Sequence, residues 1–210
     1  RCRESLRSNE EPMKRLFVAN WKMNSGRAEA RRYALRLGER IGESSAVPSD
    51  RELVVAPPFT AFSEASDSRG RWALAAQTVA SHASGAFTGE TSAAMAAEAG
   101  CRYAIVGHSE RRRLFGENAE SLSAKLVRTR EAGLVPIYCL GETEEERADG
   151  LTKDVLLAQV ETLSQDPPGA ELVVAYEPVW AIGTGQAATA ADAAGARDIL
   201  RRALGAGRDL

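Results

Sequence analysis

The sequence predicts an α/β fold in which strands and helices alternate around a parallel sheet, and three observations carry the prediction. Short β-rich runs recur along the chain, amphipathic charged stretches separate them, and the runs are so continuously apolar that both faces of each strand must be covered. The strand-like runs are Leu16 to Ala19, Leu53 to Ala56, Trp72 to Ala76, Tyr103 to Val106, Val135 to Leu140 and Leu172 to Tyr176. Between them, Ala28 to Ile41, Ala119 to Ala132, Lys153 to Leu163 and Ala190 to Leu204 each set an apolar stripe against Arg, Glu or Lys, as surface helices do. Strand followed by helix repeats about six times, which favours right-handed crossovers and a parallel sheet. Two architectures are built this way. A doubly wound open sheet would usually carry a glycine-rich turn after its first strand, whereas this strand runs into Asn20-Trp21-Lys22-Met23-Asn24. A βα barrel is the better match. Because a complete barrel has about eight strands and typically about 250 residues, residues 13–210 are expected to form a barrel domain that is C-terminally truncated to about six βα units.

Composition narrows the function. With 210 residues, 44% of them apolar, the chain can bury a sizeable single core. A formal charge of −2 with both signs interspersed argues for no nucleic-acid partner and no anionic membrane surface. The opening Arg1 to Pro12 is charged and lacks the apolar run of a signal peptide. Met13 directly precedes the first strand, so residues 1–12 are expected to be a disordered N-terminal extension. No segment is long and apolar enough to span a bilayer, and a soluble cytoplasmic protein is expected. The three cysteines, Cys2, Cys101 and Cys139, are odd in number and scattered. They show neither a disulfide framework nor metal-ligand spacing, so no metal site is expected.

The unusual residues fall just after strands and before helices, positions that share one rim in a parallel barrel. Asn20 and Lys22 follow the first strand, Gln77 the third, His108 the fourth, Glu142 the fifth and Glu177 the sixth. A lone lysine is usually a solvated surface charge. Here an extended continuation through Asn20, Trp21 and Lys22 would point the amide and the ammonium the same way and hold an oxyanion between them. His108 opens a helix that Ser109 is placed to cap, and the positive end of that helix favours a neutral ring able to donate a hydrogen bond. His82 reads as an ordinary loop residue, and Glu142 as a cap for the helix after it.

The segment Tyr176 to Gly185 joins a carboxylate to an unusually apolar loop. Pro178 restricts Glu177 to extended backbone and so limits where its carboxylate points. Val179-Trp180-Ala181-Ile182 and the glycines after them read either as a buried turn around Trp180 or as a lid that covers substrate, excludes water and offers amides to a phosphate. Gly85 to Glu90 presents Phe87 between small residues and either folds over its own barrel or, as the better match for an exposed loop with an aromatic tip, plugs into a partner.

Taken together, Asn20 to Asn24, Gly85 to Glu90, Gly107 to Arg112, Cys139 to Glu142 and Ala175 to Gly185 resemble the triosephosphate isomerase family in order and spacing, from about Met13 onward. The resemblance implies a TIM barrel and a homodimer joined through the Gly85 to Glu90 loop. It also implies a cofactor-free, metal-free isomerase of glycolysis and gluconeogenesis acting on a small phosphorylated triose. Known from that family are a glutamate base, here Glu177, and a neutral histidine electrophile, here His108. Lys22 is then the third catalytic residue, Asn20, Lys22 and Gly183 contact substrate, and Glu110, Gln77 and Arg111 support the site. Thr88 would reach towards the neighbouring subunit. Two departures stand out: Gln186-Ala187-Ala188 where many relatives have lysine after the lid, and Thr78 where Asn or Asp is usual. The family's last two strands, with the loops that complete its phosphate grip, are absent, so residues 1–210 alone are expected to be inactive or weakly active. A non-catalytic assembly module fits less well because Lys22, His108 and Glu177 are all intact, and other phosphate-binding barrel enzymes lack this combination of motifs.

Overall fold

The computed structural model describes residues 15–42, 48, 50–67, 71–164 and 170–205; the expected extension, residues 1–12, lies outside the described residues. The strands are β1 (Arg15–Asn20), β2 (Arg51–Ala56), β3 (Ala73–Ala76), β4 (Cys101–Val106), β5 (Val135–Leu140) and β6 (Val173–Tyr176). The main helices are α1 (Arg27–Ile41), α5 (Ala119–Glu131), α7 (Thr152–Glu161) and α8 (Ala190–Leu204). Four short ones, α2 (Phe62–Ala65), α3 (Ala93–Glu98), α4 (Ser109–Phe115) and α6 (Glu144–Ala148), fill the connections. The last four are too short to show a repeating helical pattern in sequence.

All six strands pair in parallel with their sequence neighbours, in the order β1-β2-β3-β4-β5-β6. This is the βα-barrel arrangement, and it sends every strand's carboxyl end to one rim. The alternation of side chains along each strand sorts the core into two sides. Val54, Ala56, Ala75, Tyr103, Ile105, Val135, Ile137 and Cys139 form one cluster with Leu16, Ala73, Val173 and Ala175, drawn from every strand. The opposite face meets the helices. Leu74, Ala76 and Ala104 pack with Ala30, Phe62 and Ala96, while Val106, Tyr138 and Leu140 pack with Leu122, Leu156 and Leu200.

Coverage of both faces, expected for every strand, holds at β5 and, apart from Arg102, at β4, but not at the ends. Phe17 and Val18 on β1 are 50% and 38% exposed, and all of β6 is only half-buried. β1 and β6 are also the two strands of this sheet with an unpaired edge.

Helix starts are set by local chemistry. Asn118 Oδ1 accepts from Ser121 N at 2.9 Å to begin α5, and Thr143 and Glu146 form a reciprocal capping box at α6. Thr189 and Asp192 do the same at α8. Asp192 is held down to a pKa of about 2, first by the Thr189 hydroxyl and backbone and then by Arg147, whose guanidinium lies 2.6 Å away and ties α6 to α8. No helix among the described residues is long and apolar enough to cross a membrane.

Candidate active site

β1 ends at Asn20, although Trp21 N still donates to Ala56 O at 3.0 Å. The extended continuation expected beyond it does not form. Lys22 has φ +53°, in the left-handed region that non-glycine residues seldom enter. Strain of this kind costs about 1–3 kcal/mol and persists only where the surroundings impose it. Here Asn20 Oδ1 accepts from Lys22 N at 3.0 Å, and Gln77 Nε2 donates both to Lys22 O at 2.8 Å and to Ala56 O at 2.9 Å. Side chains at the ends of β1 and β3 thus satisfy both backbone groups of the strained residue. Its ammonium ends 2.7 Å from Glu110 Oε1, and that hydrogen bond is the main reason Glu110 titrates below the ordinary carboxyl range. Trp21 turns the other way, onto the helix-side core, edge-on to Tyr33.

After β4, Gly107 turns the chain with φ +77°, and a Cβ there would meet the Arg112 guanidinium at 2.9 Å. The side chain that caps α4 is His108 itself, not Ser109: its Nδ1 accepts from Glu110 N at 3.2 Å. That bond requires a lone pair on Nδ1, which leaves the ring proton on Nε2. Nε2 lies 3.1 Å from Glu177 Oε1. Ser109 contributes through its backbone, whose N–H donates to Glu177 Oε2 at 2.8 Å. Glu177 N in turn donates to Leu140 O at 2.7 Å, extending the β5–β6 ladder to the residue that carries the carboxylate. The side chains of His108 and Glu177 are 12% and 15% exposed, so the pair is partly shielded from water. Burial first, and then the charge of Glu177, hold the neighbouring Cys139 thiol well above its ordinary pKa, so it remains protonated.

The apolar loop after Glu177 begins as a single 3-10 turn, Val179–Ala181. Its anchor is Glu142, which the sequence reads as a helix cap; Thr143 is the cap instead, and Glu142 is completely buried. Glu142 Oε1 accepts from Tyr176 Oη at 3.0 Å and Trp180 Nε1 at 3.1 Å, with Arg147 3.5 Å away and stacked over the Trp180 ring. Burial, foremost, pushes the Tyr176 hydroxyl up to about 12. Beyond this anchor, residues 182–190 are exposed. Gly183 and Gly185 adopt φ +76° and +78°, open to glycine without strain. Just after them, Gln186 Nε2 reaches Glu144 Oε1 at 3.4 Å.

The structure therefore brings Asn20, Lys22, Gln77, His108, Glu110 and Glu177 together. It leaves four expected residues outside that group. Gly183 stands in the exposed part of the loop after Glu177, while Phe87 and Thr88 are exposed on their own loop. Phe87 is stacked on the His82 ring at 3.8 Å, which gives His82 a part in shaping that loop. Arg111 is turned to Glu117 Oε1 at 2.5 Å and lies over Phe115, so it supports α4 instead of facing the carboxylates.

Asn20 and Gln77 act on backbone as well as being legible in the sequence, but Arg112 was missed. Arg112 donates to Gly107 O at 2.7 Å, Cys139 O at 2.9 Å and Tyr138 Oη at 3.2 Å, pinning the ends of β4 and β5 together. Its spacing four residues after His108, on one helix side, was the available signal. Among the described residues, no group of His, Cys, Asp and Glu side chains is placed to hold a metal ion.

A parallel βα-barrel sheet whose strand ends gather a lysine, a histidine protonated on Nε2 and a shielded carboxylate defines an acid–base enzyme. The family model described as triosephosphate isomerase matches residues 15–208. The triosephosphate isomerase of Symbiobacterium thermophilum is 44% identical over 200 residues, covering 90% of this chain and 76% of that relative. Those of Herminiimonas arsenicoxydans and Halorhodospira halophila are 45% and 43% identical, over 91% and 90% of this chain and 77% and 75% of their own lengths. The chain belongs to the triosephosphate isomerase family.

Proposed function

We propose that this site interconverts dihydroxyacetone phosphate and D-glyceraldehyde 3-phosphate, a step of glycolysis and gluconeogenesis, in the cytoplasm. The observation that carries the proposal is the paired placement of His108 and Glu177: a ring with its proton on Nε2, 3.1 Å from a carboxylate held by one backbone N–H. Glu177 removes the proton from C1 of dihydroxyacetone phosphate. His108 Nε2–H donates to the carbonyl oxygen as charge develops there, and protons pass between the two oxygens across the ring. Glu177 then returns its proton to C2, so the base is regenerated and no atom is gained or lost. Lys22 stabilises the enediolate and phosphate charge, with Asn20 beside it, as fixed charges in a partly desolvated site do. Gly183 offers its amide to the phosphate when the lid closes. Closure keeps water out and prevents the enediolate from expelling its phosphate.

Exposed Met23, Phe59, Phe87 and Phe115 follow β1, β2, β3 and β4 respectively on this rim, and they support a homodimer in which the loop bearing Phe87 and Thr88 docks on a second copy.

With Phe17 and Val18 exposed and both end strands unpaired at one edge, residues 1–210 alone are expected to turn over slowly. The test is a triose phosphate assay on this chain alone and on the chain joined to the part of the Symbiobacterium relative that the match leaves uncovered. Turnover on the order of 10²-fold higher in the joined protein supports the reading, by analogy with the loss of a catalytic donor. No turnover in either form contradicts it. Sedimentation of the joined protein should show two copies. In that protein, Lys22→Ala should lower kcat/KM by on the order of 10²–10³-fold and raise KM. Unchanged KM and kcat would remove Lys22 from the site.

A further inference from the structure

We propose that Gln159, on α7, is a positioning residue for Glu177 that acts through the backbone of Gly141; the proposal rests on the isomerase reading above. The Gln159 carboxamide makes both hydrogen bonds that a neighbouring strand would make. Its Oε1 accepts from Gly141 N at 2.8 Å, and its Nε2 donates to Gly141 O at 3.1 Å. Only one orientation of the amide satisfies both, so each fixes the other.

That peptide packs directly against the backbone of Glu177. A Cβ built on Gly141 would lie 1.7 Å from Glu177 O and 2.8 Å from its carbonyl carbon, an approach that only glycine permits. On its other side the Glu177 peptide donates from N–H to Leu140 O at 2.7 Å. Consecutive residues of one turn therefore grip both ends of the backbone that carries the base, and Gln159 braces the turn from behind.

Gln159 is itself tied to the histidine side of the site. Its carbonyl accepts from Tyr138 Oη at 2.8 Å, Tyr138 Oη accepts from Arg112 at 3.2 Å, and the same guanidinium holds Gly107 O, the residue before His108. One network thus spans the two backbones that set the 3.1 Å separation of His108 and Glu177. None of its members takes part in proton transfer. Its effect on rate comes from geometry, where a displacement of about 1 Å can cost on the order of 10²-fold.

The experiment is a double-mutant cycle on isomerase kcat in the protein of assayable turnover defined above, pairing Gln159→Met with Glu177→Asp. Gln159→Met keeps the length of the side chain and removes both hydrogen bonds. It should lower kcat about tenfold or more with KM within about twofold, and its loss should shrink at least about threefold in the Glu177→Asp background, because the base there is already misplaced. A merely structural role would reduce the active fraction equally in both backgrounds, and losses that simply multiply would overturn the proposal. So would kcat within twofold of the unaltered protein. If circular dichroism shows that Gln159→Met does not fold, Gln159→Glu, which keeps the acceptor for Gly141 N but loses the donor for Gly141 O, enters the same cycle with the same criteria. Full activity of Glu177→Asp itself would end the base assignment and this proposal together, whereas a defective Glu177→Asp with unaffected Gln159 variants ends only the latter.

Discussion

Glu177→Gln should reduce isomerase turnover by about 10²–10⁴-fold, the range expected for loss of a general base, while the protein keeps its fold. The substitution is nearly isosteric, and the amide oxygen can still accept from Ser109 N, which lies 2.8 Å from Glu177 Oε2. The backbone grip through Leu140 O is untouched. What is lost is the ability to take a proton from carbon. A melting midpoint close to that of the unaltered protein, combined with collapse of kcat, would place the effect on chemistry. Glu177→Asp is the finer probe, since it withdraws the carboxylate by about one methylene and tests distance in place of basicity. Retained kcat in Glu177→Gln would mean that another group accepts the proton.

The second large effect concerns stability. Glu117 lies between α4 and α5 with its side chain 5% exposed, and its Oε1 accepts from Arg111 at 2.5 Å and from Lys125 at 2.6 Å. Lys125 is equally buried and also donates to Thr78 Oγ1 at 3.0 Å. Thr78 adjoins Gln77, so this cluster backs the residue that holds Lys22 in its strained conformation. Glu117→Ala would leave the Lys125 ammonium buried without its counter-charge, and breaking such a pair typically costs about 3–5 kcal/mol. Replacing both partners with Glu117→Leu and Lys125→Met should cost far less, because no buried ammonium is left uncompensated and Arg111, its side chain 25% exposed, can turn to water. Chemical denaturation of the three proteins tests this; equal losses in the single and double variants would show that packing, not charge, dominates.

The same cluster predicts a pH dependence. Burial is the largest single influence on Glu117 and pushes its pKa up, but Lys125 and Arg111 together outweigh it and leave the carboxyl below its ordinary value. A carboxyl whose folded pKa is depressed contributes stability above its unfolded pKa, and that contribution disappears as pH falls through the folded value. Acid unfolding should therefore be less steep across that range in the double replacement than in the unaltered protein.

The parts of this architecture that the sequence discloses are those governed by short-range periodicity. β4 and β5 stand out because burial on both faces leaves their runs Tyr103 to Val106 and Val135 to Leu140 without a charged residue, and Glu177 because Pro178 and an apolar loop make an odd neighbourhood for a carboxylate. Beyond a strand's last residue that periodicity ends. Nothing in Asn20-Trp21-Lys22 announces φ +53° at Lys22, since the backbone is turned by side chains as distant as Gln77. Glu142 looks like a cap because a helix follows it. It is buried because Tyr176 and Trp180, more than thirty residues on, close over it. Arg111 sits among four consecutive charged residues, of which one reaches Glu117 and another, Arg112, reaches the backbone of two strand ends; the run itself does not say which. Gln159 is an ordinary polar helix residue until its target, 18 positions away, is known to be a glycine pressed against the base.

Solvent exchange at the substrate carbons tests the central claim most directly. In deuterium oxide, the protein joined to the uncovered part of its relative should convert dihydroxyacetone phosphate to glyceraldehyde 3-phosphate carrying deuterium at C2, because a proton held by Glu177 between the two transfers can exchange with solvent. Glu177→Gln should slow both conversion and labelling by the same factor of about 10²–10⁴. Labelling at an undiminished rate in Glu177→Gln, or conversion that never incorporates solvent deuterium, would contradict the account.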